Sequence, residues 1–221
     1  MIEAVVFDLD GVLLDTEEVW SEARRQLVEE RGGRWHEGAQ RAMMGMSSHE
    51  WSRYMHDELG LAESPEEISA EVVRRLEALY REHLPLVPGA LEAVRRLAAH
   101  WPLAIASSSN RPLIDLFLES IGTAELFRAT VSSEEVSRGK PAPDVYLEAA
   151  RRLGVEPGRC AAIEDSENGI RSAAVAGMRV IAIPNADFPP SEEALAQAAI
   201  VLDSLDELTP AVVENVNATR S

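Results

Sequence analysis

Short runs that are apolar throughout recur along the chain. They are Ala4 to Phe7 ("AVVF"), "PLAIASSS" at 102–109, "RATVSS" at 128–133, "RCAAIED" at 159–165, "RVIAIP" at 179–184 and a weaker "AIVLDS" at 199–204. Continuous rather than alternating hydrophobicity suits strands covered on both faces. Between these runs the apolar positions take helical spacing. "GALEAVRRLAAH" puts Leu91, Val94 and Leu97 on one stripe. "RPLIDLFLESIG" does so with Leu113, Leu116 and Phe117 before closing on Gly122, and "PDVYLEAARRLG" with Val145, Ala149 and Leu153 before Gly154. Glycine just past a periodic run is a helix stop. Strand–helix alternation from residue 87 onward predicts an α/β fold, a doubly wound parallel sheet of Rossmann type.

The stretch from Thr16 to about Leu84 breaks this rhythm. Trp20, Ala23, Leu27 and Val28 share one helical face, and a Gly pair follows at 32–33. Ile68, Val72, Leu76 and Leu79 share another, with Ser64 as N-cap and Pro65 in the first turn. The pattern predicts an all-helical insertion at 16–84 between two parts of an α/β core, 1–15 and 85–221. Pro85 and Pro88 stiffen the return connection.

Composition narrows the functional classes. The 221 residues are 46% hydrophobic and 27% charged, with a formal net charge of -17. Such acidity argues against nucleic acid and against anionic membrane surfaces as partners. No run is long enough for a membrane span, and "MIEAVVFDLDG" lacks a basic leader. Cys160 is the single cysteine, in an apolar run that reads as a buried thiol. These features predict a soluble, cytoplasmic protein. No heptad or broad apolar stripe demands a partner subunit, so a monomer is expected.

Ligands of open parallel sheets bind beyond the carboxyl ends of the strands. Asp8 and Asp10 follow the first predicted strand; Ser107, Ser108 and Asn110 follow the second; Glu164 and Asp165 follow the fourth. Lys140 lies in the connection before the "PDVYLEAARRLG" helix. Each motif alone has a plainer reading, as turn acids, a polar loop or a solvated turn. Their joint order behind successive strands points to one site. Clustered carboxylates with no His or Cys group nearby favour a hard cation, Mg²⁺, which shares its coordination with a substrate phosphate. Ser107 and neighbouring backbone N–H groups can hold that phosphate, and Lys140 can neutralise it. Lys140 is the only lysine beside twenty arginines. Its retention implies a pocket that admits a compact ammonium and excludes a guanidinium fork.

Together "DLDGVLLDTE", "IASSSN", "RGKPAPDVY" and "IEDSENGIRSAAVAGM" resemble the haloacid dehalogenase superfamily, in the branch of sugar-phosphate phosphatases and beta-phosphoglucomutase. The resemblance implies Asp8 as the nucleophile that forms an aspartyl-phosphate, and Asp10 as the general acid/base. It implies Ser107 and Ser108 as phosphate-binding residues, with Lys140 steadying Asp8 and the phosphoryl group. Mg²⁺ would be held by Asp8, the carbonyl of Asp10, Asp165 and Glu164, the last directly or through water. Residues 16–84 would form a mobile cap, with Trp20, Gly45, Ser48 and Asn110 toward the substrate. The expected activity is hydrolysis of a small phosphorylated metabolite. A dehalogenase is disfavoured because Asp10 and the Glu164–Asp165 pair are kept. A phosphosugar mutase is the alternative, weakened by Trp20 in place of the usual His and Ser48 in place of an Arg, and kept open by the cap arginines Arg24, Arg41, Arg53 and Arg75, which could replace those donors. A non-catalytic phosphometabolite-binding module is the lesser one.

Overall fold

The computed structural model describes residues 1–216 apart from 45 and 187. Among the described residues six parallel strands form one sheet: β1 (Ala4–Phe7), β2 (Leu103–Ser107), β3 (Phe127–Ser132), β4 (Cys160–Glu164), β5 (Arg179–Ala182) and β6 (Ile200–Val201). Their order is β3-β2-β1-β4-β5-β6. The chain leaves β1 toward β2 on one side and later returns to β4 on the other. The strand order therefore switches direction at β1, which opens a crevice at its carboxyl end.

Every residue of β1, β2 and β4 is buried, as their unbroken apolar runs require. Alternation along β1 divides the core. Val5 and Phe7 pack on one face, while Ala4 and Val6 pack on the other. The Phe7 face is covered by α5 (Ala90–Ala98) and α6 (Arg111–Ile121). The Val6 face is covered by α7 (Asp144–Leu153) and α8 (Glu167–Val175). Gly122 and Gly154 end α6 and α7 in left-handed conformation, with φ of 62° and 70°, as the stop signals predict.

Between β1 and α5 the described residues form four helices: α1 (Glu17–Glu30), α2 (Ala39–Met43), α3 (Ser48–Asp57) and α4 (Pro65–Glu82). Ser64 caps α4 in a capping box with Glu67, so the predicted start is found. The buried face of α4 differs from expectation at one position: Tyr80 is buried and Leu79 is 39% exposed. From Leu76 the next position on the same face is four residues on, and the pair at 79–80 straddles the edge of the stripe. On α5, likewise, Ala90 and Ala93 join Val94 and Leu97 inside, and Leu91 sits at the margin.

The two connections to this helical block run side by side. Asp15 N–H donates to Pro85 O at 2.7 Å, and Val87 N–H to Leu13 O at 3.1 Å. Leu14 also bridges Leu86 in antiparallel fashion.

Candidate active site

Asp8 is the first residue past β1, and its N–H donates to Ile163 O of β4 at 3.0 Å. The ladder thus places the Asp8 carboxylate at the switch point. Lys140 Nζ lies 2.8 Å from Asp8 Oδ1 and 2.6 Å from Glu164 Oε1. The ammonium also sits 5.0 Å from the centre of the Tyr146 ring. Tyr146 OH donates to Glu164 Oε1 at 2.6 Å. Asp8, Lys140, Glu164 and Asp165 are all buried.

Glu164 is fully engaged by protein donors. Its Oε2 accepts from Asp165 N–H at 3.1 Å, and from Ser166 N–H and Oγ at 3.3 and 3.2 Å. Its carboxylate occupies the space a Cβ at Gly169 would fill. The carboxylate of Asp165 stands in the same relation to Gly11, whose φ of 83° also favours glycine. Both glycines are part of the site, since each makes room for an acid.

Burial pushes the Asp8 carboxyl up to about 8; Lys140 opposes that rise, and Glu164 and Asp10 add to it. Burial, then Glu164 and Asp8, likewise hold Asp165 well above the usual carboxylate range. Burial works against the Lys140 charge, but Asp8 and Glu164 outweigh it and raise its pKa. The centre therefore has more buried anions than cations. One oxygen shows the same deficit: among the described residues Asp165 Oδ1 is buried and receives no hydrogen bond. Ligand atoms of Asp8, Glu164 and Asp165 lie within 4.8 Å of one another. An all-oxygen set with an orphaned buried carboxylate oxygen fits a hard divalent cation.

Asp10 is held from both sides. Its Oδ1 accepts from Thr16 Oγ1 at 2.7 Å and Trp20 Nε1 at 3.2 Å. Its Oδ2 accepts from Ser109 Oγ at 2.5 Å and, longer, from Ser107 Oγ at 3.4 Å. Thr16 and Trp20 belong to the helical block, and the serines to the core.

A cavity of about 290 Å³ opens above these acids. Asp8, Asp10, Asp165, Lys140, Ser108 and Trp20 line it. Among the described residues Ser108 Oγ has no hydrogen-bond partner. Ser107 is fully buried below the wall, where its Oγ accepts from Ser109 N–H at 2.9 Å. Asn110 and Ser48 do not reach the cavity wall. Asn110 Nδ2 donates to Glu134 Oε1 at 2.7 Å, and Ser48 Oγ to the same atom at 3.4 Å. They join the core to the helical block through Glu134. Gly45 lies outside the described residues.

Sequence reasoning missed Ser109, Tyr146, Gly169 and the wall residues Glu17 and Gln40. Arg24, one of the cap arginines the sequence offers, lies in that wall one turn after Trp20 on the same face of α1. No local pattern marks the others.

A family model described as haloacid dehalogenase-like hydrolase matches residues 2–177. The chain is 35% identical over 214 residues to a probable pseudouridine-5'-phosphatase of Drosophila melanogaster, covering 93% of this chain and 90% of that protein. It is 32% identical over 225 residues to hexitol phosphatase B of Escherichia coli K12, covering 94% and 95%. The structure of CbbY from Rhodobacter sphaeroides in complex with phosphate superposes with a TM-score of 0.85 at 30% identity, covering 97% of this chain and all of that one. This chain belongs to the haloacid dehalogenase-like hydrolases, as a phosphoric monoester hydrolase.

Proposed function

We propose that this chain is a Mg²⁺-dependent phosphatase that releases phosphate from a small phosphorylated metabolite, a sugar or polyol phosphate. The observation that carries the reading is the buried Asp8–Lys140–Glu164 contact beside Asp165, at the floor of a cavity of metabolite size. Phosphoryl transfer asks mainly for positioning and for charge neutralisation. Lys140 bridges the attacking carboxylate and the phosphoryl oxygens. Ser108 Oγ and the backbone after β2 supply donors to the phosphate. Asp8 takes the phosphoryl group as an aspartyl-phosphate, and water then releases it. Asp10 protonates the leaving alkoxide and takes the proton of the attacking water. Its hydrogen bonds to Thr16, Trp20 and Ser109 hold it at the cavity floor.

Asp8, Asp165 and the Asp10 carbonyl would hold Mg²⁺, with Glu164 orienting Lys140 behind them. The ion supplies positive charge to the phosphate oxygens. Residues 16–84 act as a cap over the core of 1–15 and 85–221, and the paired connections at Leu13–Asp15 and Pro85–Val87 are its hinge. Closure excludes water from the cavity. Among the described residues no helix is long and apolar enough to cross a membrane. The proposal places the enzyme in the cytoplasm as a monomer.

Relatives named for hexitol and pseudouridine phosphates support a phosphomonoester substrate. A mutase must grip a bisphosphate at both ends, and Trp20 and Ser48 stand where the mutases carry donors. The test is phosphate release across a panel of sugar, polyol and nucleoside phosphates with Mg²⁺. Turnover of at least one at a physiological rate supports the reading. Conversion of beta-glucose 1-phosphate to glucose 6-phosphate with a bisphosphate primer, without free phosphate, would replace it with the mutase. No turnover at all would favour a binding module.

A further inference from the structure

Arg24 is 5% exposed and lines the same cavity. Its guanidinium packs against two indoles that meet each other edge to face at 5.8 Å, 4.5 Å from the Trp20 ring centre and 4.9 Å from that of Trp51. Contact with both rings stabilises the charge and fixes the guanidinium in the cavity wall. Among the described residues it makes one hydrogen bond, from Nη1 to Gln40 Oε1 at 3.2 Å, and no ion pair within 4 Å. Its Nε is buried without an acceptor. Gln40 in turn donates to Glu17 at 3.1 Å, so an amide separates the guanidinium from the nearest acid on that wall. Burial lowers the Arg24 pKa to about 10, and Glu17 and Asp10 oppose that fall. The side chain stays charged at neutral pH. A buried cation without a direct counter-ion is costly, and a bound anion would supply the missing partner.

Trp20 fixes where that anion would sit. Its Nε1 touches Asp10 and its ring touches Arg24. The guanidinium is thus one indole away from the acid that serves the leaving oxygen. From the reading of this site as a phosphatase, on which the inference rests, we infer that Arg24 forms a subsite for a carboxylate on the substrate, at the end remote from the transferred phosphate. The substrate is then a phosphorylated sugar acid or similar hydroxy acid. A carboxylate matches the planar fork bidentately. Charge favours it over a second phosphate. Five carboxylates and three cations, Lys140, Arg24 and Arg41, line the cavity. Lys140 is taken by Asp8 and Glu164, which leaves one buried cation for the remote group.

The test compares 6-phosphogluconate with sorbitol 6-phosphate, which differ in a carboxylate against a hydroxymethyl, and adds fructose 1,6-bisphosphate. The wild type should prefer 6-phosphogluconate over sorbitol 6-phosphate by about tenfold or more in kcat/KM, mainly through KM. In Arg24→Gln this ratio should collapse toward one, and in Arg24→Lys it should be intermediate. A purely structural clamp would lower both substrates alike and keep the ratio. An unchanged ratio, a wild-type preference for the neutral compound, or a stronger preference for the bisphosphate would each overturn the subsite. Calorimetric binding of the same compounds to Asp8→Asn protein separates the two claims. Selective binding of 6-phosphogluconate without turnover of any ester by the wild type would uphold the subsite and reject the phosphatase.

Discussion

Lys140 and Asp8 are in contact in the interior, 2.8 Å apart, and Glu164 holds the same ammonium from the other side at 2.6 Å. The chain thus places its single lysine where a cation must touch two carboxylates at once and still face a cavity. With the Tyr146 ring 5.0 Å from the ammonium, a longer and planar guanidinium should not reproduce both contacts. Lys140→Arg should fold but lose about 100-fold or more in kcat, because the charge is kept and its position is not. Steady-state kinetics beside a circular dichroism spectrum check this. Activity near wild type in a folded variant would remove the steric argument.

Gly169 and Glu164 make a second such pair. A methyl group at 169 would overlap the Glu164 carboxylate, so Gly169→Ala must displace the acid that orients Lys140. The expected result is a lower melting temperature together with activity reduced by about tenfold or more. A variant with unchanged melting and kinetics would mean that Glu164 is free to move.

Asp165 has a buried oxygen with no hydrogen bond from the described residues. If a divalent cation is its partner, Asp165→Asn should weaken Mg²⁺ binding by about tenfold or more. Titration calorimetry of the protein without substrate measures this independently of turnover. Equal Mg²⁺ affinity in the two proteins would place the ion elsewhere.

Cys160 is fully buried in β4, and burial pushes its thiol up to about 11. The folded chain then holds this proton more tightly than the unfolded one. Its contribution to stability is complete below the ordinary thiol value of 9.0 and is lost as pH rises through about 11. Iodoacetamide at pH 8 should leave the native protein unmodified and label it only after unfolding. Replacement by Ala should flatten stability between these pH values. Rapid native labelling would contradict the burial.

The strands were legible because a sheet covered on both faces leaves unbroken apolar runs, and the stops at Gly122 and Gly154 because left-handed caps favour glycine. The acids at 8, 10, 164 and 165 could be read from their place behind strands. What could not be read depends on contacts between distant segments. Nothing local distinguishes Ser109, which touches Asp10, from Ser107, which lies beneath it. Gly169 reads as an ordinary helical glycine until Glu164 is seen against it. Asn110 and Ser48 share the polarity of the site residues, yet meet at Glu134 away from the cavity. Leu79 and Tyr80 differ by one step of helical phase, which a stripe read from sequence does not fix.

The most direct test of the central claim is phosphate release by Asp8→Asn at saturating Mg²⁺ on the best substrate of the panel. The amide nearly matches the carboxylate in size but does not attack phosphorus. The account predicts a folded protein with no measurable turnover. Retention of more than a few per cent of the wild-type rate would show that phosphate leaves by a route that does not pass through Asp8.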